Sequence, residues 1–231
     1  MTGGMKMKYV HYLSGLLLVA FSMALQSCIN DDESNNPSIN YPNALVTIKT
    51  NSATGQVYFQ LDDSTTILPT NSSISRFAGK EVRAFTHLMQ LKGPSGIYTR
   101  SAIVHWVDTI RTKKMASDLG AQNDSKYGKD PVEIVKSWTT VVEDGYLTLC
   151  FRTYFGNGTT HVINLVKGAN PYEVVLHHDA KGDVRGVVRD GYVAFRLNDL
   201  PDTHGKTVDL TLKWQSFSGP KSVKFKYKSR Q

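Results

Sequence analysis

After Tyr41 the hydrophobic positions of this chain recur at every second residue. The pattern runs through Ala44-Val46-Ile48, Val57-Phe59-Leu61, Ile103-His105-Val107, Leu147-Leu149-Phe151, Tyr172-Val174-Leu176, Val193-Phe195-Leu197, Val208-Leu210-Leu212-Trp214 and Val223-Phe225-Tyr227. Period two with β-branched and aromatic residues predicts strands. Turn-forming clusters separate the runs, among them Asn51 to Gly55, Gly156-Asn157-Gly158, Lys181-Gly182-Asp183 and Ser218-Gly219-Pro220. No stretch keeps a helical period. Asp130-Pro131 can cap a short turn over Val132 to Trp138, but Ile134, Val135 and Thr139 to Val142 favour strand. The chain therefore reads as all-β. Patterning is weakest between Lys113 and Lys129. Two β domains are expected, over residues 40–114 and 130–228, with a linker at 115–129. The first has about five strand candidates, which suits a small Greek-key barrel. The second has about seven, with turns at sandwich-like spacing.

The front of the chain follows another rule. Lys6 and Lys8 precede an apolar run from Leu13 to Leu25, broken only by Ser14, Gly15 and Ser22. That is the order of a secretory signal. The run is too short for a spanning helix, which takes about 20 apolar residues. Its end, Leu25-Gln26-Ser27-Cys28, resembles the lipobox of bacterial lipoproteins. The resemblance implies that residues 1–27 are removed and that Cys28 carries a diacylglycerol, often with an acylated amine. One acyl chain holds a membrane weakly, at about 0.8 kcal/mol per buried methylene, but two or three hold firmly. Residues 28–39 are acidic, then rich in Asn, Ser and Pro, and read as a flexible tether. Asp31, Asp32 and Glu33 resemble the surface-export signal of Bacteroidetes lipoproteins. That implies an outer-membrane lipoprotein exposed on the cell surface; the alternative is a plain spacer on a periplasm-facing protein.

Composition adds little chemistry. Removing 27 of the 231 residues leaves 204, and the formal charge falls from +7 to +5 with the loss of Lys6 and Lys8. The lysines gather at the end, but Lys224, Lys226 and Lys228 alternate with Phe225 and Tyr227. That is a strand with one wet face, and edge lysines discourage strand pairing, so no nucleic acid is expected. With Cys28 lipidated, Cys150 stands alone without a local base, and is not expected to be a nucleophile.

His177-His178-Asp179 with Asp183 is the nearest approach to a metal cluster. Neighbours on a strand point to opposite faces, so the two histidines cannot easily share an ion, and no metal is expected. His105, His161 and His204 lack triad partners. Gly156-Asn157-Gly158 lacks the lysine and helix of a phosphate loop. An OB-like barrel can bind an oligosaccharide or peptide on one face, and exposed aromatics would be the platforms. Trp106, Trp138, Tyr146, Tyr154 and Trp214 are the candidates. Asp63-Ser64-Thr65 and Asp108-Thr109-Ile110 resemble Bacteroides O-glycosylation sites, which implies glycan on Ser64 or Thr109 as modification.

Several longer strings carry a family resemblance. They include Tyr41 to Thr50, Gln60-Leu61-Asp62-Asp63, Leu68-Pro69-Thr70-Asn71, Lys80 to Ala84, Val141 to Leu149 and Leu212 to Gly219. Together they resemble the NigD-like lipoproteins of Bacteroides and Prevotella across the mature chain. The resemblance implies an N-terminal OB-like barrel and a C-terminal β-sandwich. It implies a link to bacteriocin immunity, and it carries over no catalytic residue and no cofactor. The expectation is a non-catalytic, lipid-anchored cell-envelope binding protein, with a protein such as a bacteriocin or a glycan as ligand. An enzyme would need convergent acids or a metal.

Overall fold

The computed structural model describes residues 37–93 and 95–230. The expected signal sequence (residues 1–27), Cys28 and the Asp31, Asp32 and Glu33 segment lie outside them. Five strands form a closed barrel: β1 (Ala44–Thr50), β2 (Val57–Gln60), β3 (Thr66–Pro69), β4 (Val82–Leu91) and β5 (Arg100–Thr109), in the order β1-β2-β3-β5-β4. Closure leaves no edge to protect. Val46, Ile48, Phe59, Ile67, Ala84 and Val104 fill the interior. A 3-10 turn at Ser72–Phe77 adds Ile74 and Phe77 to that core. In β1 the first five residues are all buried. Alternation accounts for Ala44, Val46 and Ile48; Leu45 and Thr47 are buried because something covers the barrel from outside.

That cover is a sandwich. Its strands are β6 (Thr112–Lys114), β7 (Glu133–Ile134), β8 (Val141–Glu143), β9 (Tyr146–Phe155), β10 (Val162–Lys167), β11 (Glu173–Asp179), β12 (Val187–Arg196), β13 (Val208–Ser216) and β14 (Gly219–Tyr227). One sheet runs β10-β11-β13-β14, the other β6-β12-β9-β7, and β8 also pairs with β9. Leu147, Leu149, Val193 and Phe195 pack with Leu165, Leu176, Leu210 and Leu212 into one apolar core. β14 is a sheet edge, and its Lys224 and Lys226 pair with Asp209 in solvent.

The structure differs from the sequence reading at the junction. β6 pairs with β12, so residues 112–114 already belong to the sandwich. The segment expected as a linker is part of the same body. Met115 enters the sandwich core, Ala116 N–H donates to Leu165 O at 2.8 Å, and a short helix α1 (Asn123–Tyr127) sets Tyr127 against His177. A single buried Met and a few backbone hydrogen bonds fix it, and neither leaves a periodic signal. No helix among the described residues is long and apolar enough to cross a membrane.

Candidate recognition surface

A polar seam joins the two domains. The β8–β9 hairpin turns through Asp144 and Gly145, both at positive φ (49° and 71°), as a two-residue turn requires. Asp144 N–H donates to Asp63 Oδ1 at 3.1 Å, and its carboxylate takes Lys49 Nζ at 2.7 Å and Arg230 Nη2 at 2.9 Å. OB-like barrels take ligands across the face of their second and third strands. On the flank of that face this chain seats its own turn. Deeper in the seam Arg83 leaves β4 outward and is wholly buried. It donates to Thr47 Oγ1 at 3.1 Å, Thr148 Oγ1 at 3.2 Å and Glu143 Oε2 at 3.3 Å. Burial drags the Arg83 guanidinium down and pushes the Glu143 carboxyl up, and each opposes the other's shift.

Tyr146 belongs to this seam, which corrects its reading as a ligand-facing ring. Its exposure is 0%, its hydroxyl donates to Glu81 Oε1 at 2.6 Å, and burial followed by Glu81 pushes it up to about 12. Arg196 and Arg230 lie over its ring. Burial would raise the Glu81 carboxyl, but hydrogen bonds from Arg230 and Tyr146 outweigh it and hold it below its ordinary value. Trp214 is corrected likewise: it is 8% exposed and sits in the sandwich core. Trp106 is half-buried, and its indole donates to Ile39 O at 2.7 Å.

Trp138 is different, at 56% exposed. It stands edge-on to buried Phe85, with ring centroids 6.1 Å apart. Tyr192, 43% exposed, meets the same Phe85 edge-on at 4.9 Å. One barrel ring thus braces two solvent-facing sandwich rings. The antiparallel register of β9 and β12 extends the row. Tyr192 pairs with Cys150, Asp190 with Arg152, and Val188 with Tyr154. Arg152 and Asp190 form a two-pronged ion pair, at 2.6 Å and 3.0 Å. Beyond them Tyr154 meets exposed Phe217 edge-on, and Val188 is also exposed. The result is an apolar strip with one charged pair at its centre. Of its members sequence reasoning singled out Trp138 and Tyr154. Tyr192 and Phe85 lie 107 positions apart in numbering and meet only through the domain contact.

Ser64 is exposed in the β2–β3 turn, where its N–H donates to Asp62 Oδ1 at 2.9 Å; Thr109 is exposed at the end of β5. Cys150 is buried, and burial pushes its thiol up, away from thiolate chemistry.

The histidines pair in a way the sequence hid. His177 faces outward, with Nδ1 3.0 Å from Gly128 O. His178 faces inward, where Nε2 lies 2.9 Å from His161 Nδ1. His161 stacks on Phe155, and its Nε2 is 3.4 Å from Asp183 Oδ2. Asp183 itself takes the N–H groups of Gly156 and Asn157. Among the described residues no group of three or more His, Cys, Asp or Glu side chains is placed to hold a metal ion. Burial, then the neighbouring His161, holds His178 below its ordinary value. The unfolded chain therefore binds more protons than the folded one as pH falls below about 6.5, and stability is lost with acid. One proton gives a slope of at most about 1.4 kcal/mol per pH unit. Urea unfolding across pH 7 to 5 is expected to show this loss, and His178→Asn to flatten it. An equal slope in the variant would remove His178 as its source.

Comparison with known proteins follows this division. Residues 45–110 match the model of the NigD-like N-terminal OB domain. Residues 114–227 match that of the NigD-like C-terminal beta sandwich domain. No curated protein matches significantly. Among solved structures, a protein of Parabacteroides distasonis provisionally described as toxin-related is 33% identical; the match covers 80% of this chain and 92% of that one, with a TM-score of 0.70. A NigD-like immunity protein of Bacteroides caccae is 20% identical over 81% of this chain and 98% of its own, with a TM-score of 0.56. A protein of Bacteroides fragilis provisionally described as a lipoprotein is 14% identical, again over 81% and 98%, with a TM-score of 0.53. The last two are similar in fold alone.

Proposed function

This chain belongs to the NigD-like family, and from that premise we propose that it is a non-catalytic, lipid-anchored cell-envelope protein that binds a polypeptide of the bacteriocin class. The observation that carries the reading is the braced strip of Trp138, Tyr192, Val188, Tyr154 and Phe217 around Arg152 and Asp190. Trp, Tyr and Arg dominate protein-binding hot spots. Rings already fixed by Phe85 lose little freedom on binding. The lipobox at Cys28 and the description of the Bacteroides fragilis neighbour support the anchor. The description of the Bacteroides caccae neighbour supports immunity.

Cells expressing the protein are expected to survive bacteriocin-containing supernatants that kill cells without it. The double variant Trp138→Ala, Tyr192→Ala is expected to lose that protection. Two hot-spot rings correspond to at least about 2 kcal/mol, or about 30-fold in affinity, while losing both edge-on contacts with Phe85, about 0.5–1.5 kcal/mol each, should lower the melting temperature by roughly 2–12 °C and leave the protein folded. Full protection by the double variant sinks the strip as the binding face. Survival that never differs from control cells sinks immunity. Protease treatment of intact cells, with Cys28→Ala as the released control, tests anchor and surface exposure together.

A second reading rests on the same rings. Flat aromatics beside a planar Arg–Asp pair suit the apolar face and paired hydroxyls of a sugar. Quenching of tryptophan emission by polysaccharides, lost in Trp138→Phe, would favour a glycan ligand.

A further inference from the structure

The sandwich guards its sheet edges unequally. β7 is only two residues long. β10 is covered, since Ala116 N–H donates to Leu165 O at 2.8 Å and Lys113 Nζ donates to Ile163 O. β14 carries Lys221, Lys224 and Lys226. Shortness, cover and lysine are the usual ways of keeping a foreign strand from pairing. The first half of β12 has none of them. The strand lies between β9 and β6, but β6 reaches only Ala194 to Arg196. Residues 187–193 therefore have β9 on one side, and no strand among the described residues lies on the other.

The direction of the backbone groups alternates along a strand, which identifies the free ones. Ala194 N–H donates to Arg111 O at 3.0 Å on the β6 side, and Leu197 N–H to Gly145 O at 2.9 Å on the β9 side. Even-numbered residues of β12 thus turn their N–H and C=O groups away from β9. Over the open stretch these are Val188, Asp190 and Tyr192, whose side chains belong to the apolar strip. Val187 beside them is 58% exposed. Arg189 lies on the other face, opposite Thr153, and is exposed. It makes no ion pair among the described residues, and neither does exposed Arg185.

We propose that the open edge of β12 takes one extended strand of another polypeptide. Its main chain pairs with Val188, Asp190 and Tyr192, its apolar side chains lie on the strip, and an acidic side chain meets Arg189. This is recognition by strand addition. It rests on the reading of the strip as a polypeptide-binding face, and adds that the main chain of the polypeptide is what β12 holds. A second copy of this chain suits the edge less well. Antiparallel pairing across residues 187–193 would set Asp190 opposite its own image, and like charges directly opposite destabilise a pair.

Backbone amide signals in nuclear magnetic resonance spectra of the purified protein give the test. The probe is a heptapeptide of sequence TVETEVT, blocked at both ends, which reads the same in either strand direction. The amide signals of Val188, Asp190 and Tyr192 are expected to move, saturate and become protected from exchange with solvent. A copy N-methylated at its inner residues cannot donate hydrogen bonds and should bind at least about tenfold more weakly. A TVKTKVT copy should weaken by a similar factor, through repulsion from Arg189. Val188→Pro removes an outward N–H and no bond to β9, which is where an edge strand tolerates proline. It should weaken the peptide likewise and leave the β9 pairing intact. Signals that stay unmoved at millimolar peptide, or an N-methylated copy that binds as well as the parent, overturn the proposal. The same amides protected by self-association of the free protein would make a second copy the occupant, and overturn it too. Cells protected by a protein that ignores the peptide would sink strand addition alone, and peptide binding without protection would sink immunity alone.

Discussion

Arg83→Met is expected to lower the unfolding free energy by about 3 kcal/mol. The guanidinium is fully buried between barrel and sandwich, and three side-chain partners depend on it. Removing one member of a buried ion pair costs about 3–5 kcal/mol, mostly because the other charge is stranded. Glu143 keeps a third of its side chain in solvent, which places the cost at the low end of that range. For a chain of this size the melting temperature should fall by about 2–4 °C per kcal/mol. Adding Glu143→Gln to Arg83→Met is expected to recover about half of the loss, since the stranded charge is then gone. A single-variant loss under about 1 kcal/mol would show that seam packing, not this pair, holds the domains.

The seam also marks the limit of what period-two reading can give. Inward residues such as Val46, Phe59, Leu149 and Leu210 were legible, because a strand that buries one face writes that face into the sequence. The same logic assigns the alternate positions to water. Thr47, Arg83, Tyr146 and Thr148 are alternate positions, polar or amphipathic, yet all four are wholly buried. A second domain covers them, and their side chains satisfy one another instead of solvent. Nothing local distinguishes a strand face turned to water from one turned to a polar interface. The recognition strip was half legible for a related reason. Trp138 stands out by residue type, but its brace Phe85 belongs to the other domain. The His161–His178 pair depends on the β10–β11 register, Ile163 opposite His178, and turn length alone does not disclose it. The polar segment 115–129 looked like a linker because its attachment is Met115, Tyr127 and one close backbone approach.

That close approach yields the other large effect. Gly128→Ala is expected to cost about 3–5 kcal/mol. Gly128 ends α1 at φ 85° and ψ 164°, a region open almost only to glycine. Leaving it is worth about 1–3 kcal/mol by itself. A Cβ there would also lie 2.4 Å from His178 O and 2.5 Å from Asp179 Cβ, and the first is backbone that cannot yield. The segment must therefore lift from β11. Lifting strains the bonds from Asp130 N–H to His178 O, from His177 to Gly128 O and from Ala180 N–H to Asp130 Oδ2. Each contributes about 0.5–1.5 kcal/mol net. Gly120→Ala is the matched control: it has φ +59° in the same segment, but nothing within 4 Å of its Cβ. It should cost about 1–2 kcal/mol, the conformational part alone. Equal losses in urea unfolding for the two variants would mean that contact with β11 adds nothing. A larger loss for Gly128→Ala would tie this one glycine's close approach to β11 to the stability of the sandwich.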